Sequence, residues 1–138
     1  MVKFSSTVQP ICLQKNDTGA VLPGKKMTTS GWGRTSERSQ RSSDLLMKTV
    51  LNIVGNADCS KKWGRRIDAR SQICTYAKGT DSCQGDSGGP LAAEHNGRWF
   101  LYGIVSFGSS CASDVPGVYT RVSHYCSWIE KTSGVKCL

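Results

Sequence analysis

Six short apolar runs, rich in β-branched and aromatic residues, recur along the chain and are separated by turn-forming residues. They lie at 27–33, 45–54, 72–76, 90–93, 99–107 and 117–122. Runs of this length, bounded by Gly, Pro, Asn and Asp, are typical of β-strands. Strands at short, regular spacing are characteristic of antiparallel barrels and sandwiches. The pattern therefore predicts an all-β domain of one of these two kinds.

Two local signals refine this prediction. The stretch 95–98, His-Asn-Gly-Arg, lies between apolar runs and predicts a tight β-hairpin. The only helix that the sequence predicts is in the C-terminal tail, at about residues 123–133. Ser123 is its candidate N-cap, and Gly134 is placed to end it. No run of 18 apolar residues occurs, so no membrane span is predicted.

Basic residues concentrate after the turn-forming stretch 56–58. Lys61, Lys62, Arg65 and Arg66, here called the basic cluster, contribute to a net charge of +8. A solvated loop is the simplest interpretation of this cluster. The alternative is a docking patch for an acidic partner such as a sulfated glycan. Nucleic-acid binding is not predicted, because no recognition helix or aromatic stacking pattern accompanies the charge.

Seven cysteines are spread widely along the chain, at Cys12, Cys59, Cys74, Cys83, Cys111, Cys126 and Cys137. None belongs to a C-x2-C pair, so no structural zinc site is predicted. Their spacing in a loop-rich chain favours disulfides and an oxidising, extracellular compartment. Asn16 begins the sequon Asn-Asp-Thr and is a glycosylation candidate in the same setting.

Ser87 lies in the stretch DSCQGDSGGP, residues 81–90, among three glycines. Glycines allow tight or positive-φ turns and let a ligand approach the main chain. A serine in such a turn presents its hydroxyl next to free backbone N–H groups. The N–H groups of Gly85 and Ser87 are the candidates for stabilising a developing oxyanion.

The stretches 81–90, 103–108 (GIVSFG) and 116–119 (PGVY) together closely resemble the trypsin-like, chymotrypsin-fold serine proteases. The stretches 8–13 and 31–33 and the tail at 122–129 are similar to the same family. The resemblance implies an antiparallel Greek-key barrel, the C-terminal one of a two-barrel fold, followed by a C-terminal α-helix. It also implies a secreted endopeptidase that acts on proteins and uses no cofactor or metal.

On this resemblance Ser87 would be the nucleophile, and Gly85 would contribute to the oxyanion hole. Asp86 would pair with the ammonium terminus that zymogen cleavage creates. Asp81, six residues before Ser87, would lie at the base of the specificity pocket and favour Arg or Lys. The remaining substrate-binding positions that the resemblance implies are Ser82, Gln84, Ser106, Phe107, Gly108 and Gly117.

The resemblance also implies two disulfides, Cys59–Cys74 and Cys83–Cys111. Cys12 matches a cysteine that often binds an upstream propeptide or accessory domain. Cys126 and Cys137 have no counterpart that the resemblance assigns. They can bridge only if the tail folds back past Gly134, because an unbroken helix would hold them about 16 Å apart.

The catalytic histidine and aspartate of the family have no match in this chain. Its two histidines, His95 and His124, lack the family's Ala-Ala-His-Cys motif. Residues 1–4 are similar to the segment that follows the family's aspartate, which makes Met1 an expected internal methionine. We therefore expect residues 1–138 to be about the C-terminal half of a peptidase domain, without its N-terminal barrel.

Three functions remain open at this point. The first is a trypsin-like endopeptidase whose intact form cleaves after Arg or Lys, this chain alone being inactive. The second is a non-catalytic binding module that uses the Asp81 pocket and the basic cluster. The third is a regulatory fragment that pairs with a separate N-terminal half through Cys12.

Overall fold

Six β-strands close into an antiparallel barrel in the computed structural model, which describes residues 2–138. The strands are β1 Lys26–Gly31, β2 Met47–Val54, β3 Gln72–Tyr76, β4 Pro90–His95, β5 Arg98–Phe107 and β6 Gly117–Arg121. Their order around the barrel is β1-β2-β3-β6-β5-β4, with every neighbouring pair antiparallel. This confirms the predicted Greek-key barrel. Met1 lies outside the described residues.

Inward-facing residues of these strands fill the barrel because side chains alternate along a strand. Leu51 and Ile53 of β2 are buried, whereas Asn52 between them is exposed. The rest of this core consists of Met27, Ile73, Leu91, Phe100, Tyr102 and Tyr119. The predicted hairpin joins β4 to β5 through Asn96 and Gly97, whose φ angles are 50° and 75°. Positive φ at both turn residues is what a type I′ hairpin turn requires.

A short helix, α1 at Asn56–Trp63, lies where the sequence predicts a turn and a solvated loop. That prediction is wrong. Only Cys59 of α1 is buried, so eight residues give too little apolar periodicity to recognise. The Cys59–Cys74 disulfide fixes the helix to β3, and Gly64, with a φ of 63°, ends it. A disulfide to a distant strand, and not a local sequence pattern, therefore accounts for the helix here.

The tail begins with a 3-10 turn at Val122–Tyr125 and continues as α2 at Cys126–Ser133. The tail helix is therefore confirmed, although its α-helical part begins later than predicted. Ser123 does not cap it, because its hydroxyl donates to Oδ2 of Asp17 at 2.8 Å. Gly134 ends α2 with a φ of 75°, as predicted. Neither helix within residues 2–138 is long and apolar enough to cross a membrane.

After α2 the chain turns back, and a disulfide joins Cys126 to Cys137 with a Cα–Cα distance of 6.1 Å. The N–H of Leu138 donates to the carbonyl of Leu13, and the N–H of Lys15 donates to Leu138, both at 2.8 Å. The structure thus answers the question that the sequence leaves open for these two cysteines. The tail is fastened to the segment that precedes the barrel.

Asp17 and Arg121 form an ion pair between that segment and β6. Asp17 is only 4% exposed. Nη2 of Arg121 donates to its Oδ1 at 2.8 Å and Nε donates to its Oδ2 at 2.9 Å. Because Ser123 also donates to this carboxylate, charge-assisted hydrogen bonds compensate its burial.

Candidate active site

Ser87 lies exposed on the loop between β3 and β4, in a turn that glycines make possible. Gly85 and Gly88 have φ angles of 94° and 81°, a region that other residues rarely adopt. Within the turn, the N–H of Asp86 donates to the carbonyl of Cys83 at 3.0 Å. The backbone on both sides of Ser87 therefore has a defined conformation.

This turn is hydrogen-bonded to β5. The N–H of Gly88 donates to the carbonyl of Val105 at 3.0 Å, and the N–H of Val105 donates to Gly89 at 2.9 Å. The N–H groups of Gly85 and Ser87 donate to no backbone carbonyl within residues 2–138. Two donors next to the serine hydroxyl thus remain available to a ligand.

Most of the predicted substrate-binding residues share one pocket of about 220 Å³ with Ser87. The predicted residues in its lining are Asp81, Ser82, Gln84, Ser106, Phe107 and Gly108. Gly117 lies behind the pocket, where an added Cβ would be 3.1 Å from Oδ1 of Asp81. The structure therefore brings these sequence-predicted residues together, and glycine at position 117 leaves room for the Asp81 carboxylate.

Asp81 is a partly buried carboxylate in this pocket. Burial is the main cause that raises the pKa of Asp81, and the nearby charge of Asp86 raises it further. Backbone N–H groups of Ser82 and Ala112 oppose this rise, the first at 2.8 Å from Oδ1. No Lys, Arg or His nitrogen of the described residues lies within 4.0 Å of Asp81. The pocket thus contains a carboxylate without a cationic partner.

Asp86 points away from Ser87, toward the loop after β1. Its Oδ1 accepts from the N–H of Gly33 at 2.8 Å and its Oδ2 accepts from Cys83 at 2.9 Å. A Cβ at Gly31 or Gly33 would overlap this carboxylate. Asp86 and Asp81 both line a second cavity of about 460 Å³. No ammonium group of the described residues pairs with Asp86, so its activation ion pair stays a prediction.

Neither histidine is brought to Ser87. His95 lies at the β4–β5 hairpin, and His124 lies in the 3-10 turn, where it packs edge-on against Tyr125 at 4.9 Å. Both are exposed, and neither lines the pocket that contains Ser87. The described residues therefore place no imidazole beside this hydroxyl.

The two disulfides that the resemblance implies are present. Cys59–Cys74 joins α1 to β3, and Cys83–Cys111 connects two segments of the pocket wall. Cys12 forms no disulfide with any described residue, and Nη2 of Arg98 lies 3.3 Å from its Sγ. The Cys59–Cys74 and Cys83–Cys111 disulfides each restrict the unfolded chain and stabilise the fold by about 3 kcal/mol.

The sequence does not indicate where Arg65 packs, since it offers only a solvated loop or a docking patch for the basic cluster that contains this residue. The Arg65 guanidinium lies 4.9 Å from the ring centroid of Phe107 and 5.3 Å from that of Trp63. These two rings meet edge to face at 5.2 Å. The order Trp-Gly-Arg at 63–65 is the sequence signal for the helix end that leads to this arrangement, since glycine commonly ends a helix and reverses the chain.

The barrel topology and the exposed serine beside an acidic pocket define a chymotrypsin-fold barrel. A family model described as Trypsin matches residues 1–129. Because this match covers most of the chain, the protein belongs to the trypsin family of serine proteases. The match ends within α2, so Cys137 and the tail that it fastens lie beyond it.

Proposed function

We propose that this chain carries the nucleophile and the specificity pocket of an endopeptidase that cleaves proteins after Arg or Lys. The observation that supports this most strongly is the Asp81 carboxylate, which pairs with no Lys, Arg or His of the described residues and lines the pocket that also contains Ser87. A partly desolvated carboxylate favours a cationic ligand that reaches it. A guanidinium or ammonium on a long side chain has the required charge and reach.

In the proposed reaction, the substrate backbone pairs with Ser106 and Gly108 as an additional strand. The Ser87 hydroxyl attacks the scissile carbonyl, and its proton passes to a base. The resulting oxyanion accepts hydrogen bonds from the N–H groups of Gly85 and Ser87, each able to lower the barrier by about 3 kcal/mol. The base returns the proton to the departing amine, and water then hydrolyses the acyl-enzyme.

The base of this reaction must come from outside residues 2–138. We propose that an N-terminal barrel supplies a histidine and its orienting aspartate, and that residues 1–138 are a partial peptidase domain. Large apolar side chains exposed before and along β2 support a covering partner, since extended apolar surface is rarely left open in monomers. They are Leu45, Leu46, Met47 and Val50.

We expect the 138-residue chain alone to give no turnover of an arginine ester. A serine hydroxyl is a weak nucleophile without a base, and no histidine of the described residues is close to Ser87. Release of the alcohol is followed photometrically, with Ser87→Ala as the matched control. Turnover by the wild-type chain that Ser87→Ala abolishes would contradict the need for an external base.

The second candidate is a non-catalytic binding module, favoured by the positions of His95 and His124 away from Ser87. In that case the pocket would bind a cationic side chain without hydrolysis. Hydrolysis of Arg-containing peptides by the native protein, abolished by Ser87→Ala, would exclude this candidate.

We further propose that the protein is secreted and glycosylated at Asn16, an exposed residue whose Oδ1 accepts from the Thr18 hydroxyl at 2.7 Å. Disulfides persist in oxidising compartments, which supports this location. Cys12 is proposed to join a propeptide or accessory domain. The exposed Lys61, Lys62 and Arg66 of the basic cluster remain candidates for a sulfated glycan.

A further inference from the structure

The end of α1 places one residue of the basic cluster, Arg65, next to Phe107. Gly64 has a φ of 63°, and its N–H donates to the carbonyl of Lys61 at 3.2 Å. The N–H of Arg65 donates to Ser60 at 3.3 Å. This hydrogen-bonded helix end reverses the chain, so Arg65 follows a fixed backbone rather than a free loop.

Two aromatic rings position the Arg65 side chain. Its guanidinium lies about equally close to Trp63 and Phe107, at 5.3 and 4.9 Å from the ring centroids. Trp63 is itself held, because its Nε1 donates to the carbonyl of Pro116 at 2.9 Å. Cation–π contacts with two rings favour this position of the charge. Phe107 also lines the pocket that contains Ser87 and Asp81, so the charge lies against a side chain that forms part of the pocket wall.

This guanidinium has no carboxylate partner within the part of the chain that the structure describes. The ion pairs there join Lys15 to Glu130, Arg70 to Asp68 and Arg121 to Asp17. Arg65 is exposed, so an acidic group of a ligand can approach it. The pocket therefore has a carboxylate in its wall, at Asp81, and a cation without a carboxylate partner stacked on another wall residue, Phe107.

We propose that Arg65 makes this site selective for peptides with Asp or Glu two or three residues before the Arg or Lys that enters the pocket. This inference rests on the proposed function. A peptide paired with Ser106 and Gly108 passes Phe107 in an extended conformation. Extended chains advance about 3.3 Å per residue, so two or three residues cover roughly 7–10 Å. That span exceeds the 4.9 Å between the Phe107 ring centroid and the guanidinium, so an upstream carboxylate on a peptide that passes Phe107 can approach Arg65.

The test measures binding of fluorescent peptides ending in Arg to the 138-residue chain by anisotropy. Glu is compared with Gln at the second and third residues before the terminal Arg. We expect about threefold tighter binding of one Glu peptide at low salt, the size of an exposed ion pair, and no difference at 1 M salt. Arg65→Gln is expected to remove the preference, whereas Arg65→Lys retains part of it. Arg66→Gln, an exposed neighbour in the basic cluster, is the matched control and should retain it fully.

The outcomes separate this inference from the function on which it rests. If Arg-ending peptides bind more tightly than their citrulline analogues but Arg65→Gln leaves the Glu preference unchanged, the inference alone is wrong. Equal loss of the preference in Arg65→Gln and Arg66→Gln also overturns it, since the rings would then be irrelevant. If no peptide binding depends on the terminal Arg, the proposed function fails and the inference fails with it. Thermal unfolding of each variant verifies that the fold is retained.

Discussion

Asp81→Asn is expected to weaken binding of benzamidinium to this chain by about a hundredfold. Loss of one partner from a desolvated, hydrogen-bonded charge pair commonly costs 2–5 kcal/mol, and about 2.7 kcal/mol corresponds to this factor. Asparagine keeps the shape of the side chain but removes the charge. Titration calorimetry measures the change directly. Asp114→Asn is the matched control because Asp114 is exposed and lies outside the pocket lining.

The pH dependence gives this prediction a second readout. Burial raises the pKa of Asp81, so benzamidinium affinity should fall as the pH is lowered through that raised pKa. The same shift means that ionising Asp81 opposes folding. Protonated Asp81 therefore favours the folded state. This stabilisation is complete below the unfolded-state pKa and is lost as the pH rises through the folded-state pKa.

The Asp81→Asn variant is consequently expected to be more stable than the wild type at neutral pH, with the difference in stability shrinking in acid.

For the binding prediction, an Asp81→Asn variant that binds benzamidinium as tightly as the wild type at all pH values would show that Asp81 is not the counter-ion.

Arg121→Met is expected to lower the free energy of unfolding by about 3–5 kcal/mol. It leaves Asp17 buried without its cationic partner, and breaking such a pair is strongly destabilising. Arg121 also donates to the carbonyl of Ala69 at 2.6 Å, so the substitution affects two segments. Urea denaturation followed by circular dichroism measures the loss.

Arg70→Met is the control for this stability prediction. Arg70 pairs with Asp68 at 3.3 Å on the surface, and solvent screening leaves such an exposed pair with little effect on stability. The double variant Asp17→Asn with Arg121→Met should recover part of the stability, because it removes the uncompensated charge. Equal losses of unfolding free energy in Arg121→Met and Arg70→Met would contradict the importance of the buried Asp17–Arg121 pair.

The barrel follows closely from the sequence because each strand carries its own local signal. The alternation around Leu51 and Ile53 marks an inward face, and Asn96-Gly97 specifies the hairpin. All six predicted runs become strands, and their ends either coincide with the prediction or shift by one or two residues. The remaining differences between prediction and structure lie at the strand ends. There, hydrogen bonding to the neighbouring strand decides which residue is the last one of the strand.

The features that the sequence does not predict depend on distant contacts. Cys59 fixes α1 by bonding to β3, and Asp17 takes the Ser123 hydroxyl that was the expected helix cap. The Ser87 turn and Asp81 were recognisable because they lie in one stretch, 81–90, whereas the more distant pocket residues 106–108 and 117 were expected only from the family resemblance. The position of Arg65 over Phe107 was not, because it joins residues far apart in sequence through the packing of α1.

The most direct test of this account compares the affinity of the 138-residue chain for a peptide ending in Arg and for the same peptide ending in citrulline. Citrulline has nearly the same shape but no charge, so the comparison isolates the interaction with Asp81. The account predicts at least about tenfold tighter binding of the Arg peptide, a difference that Asp81→Asn removes. Equal affinities for the two peptides would contradict a pocket for Arg or Lys and, with it, the proposed trypsin-like specificity.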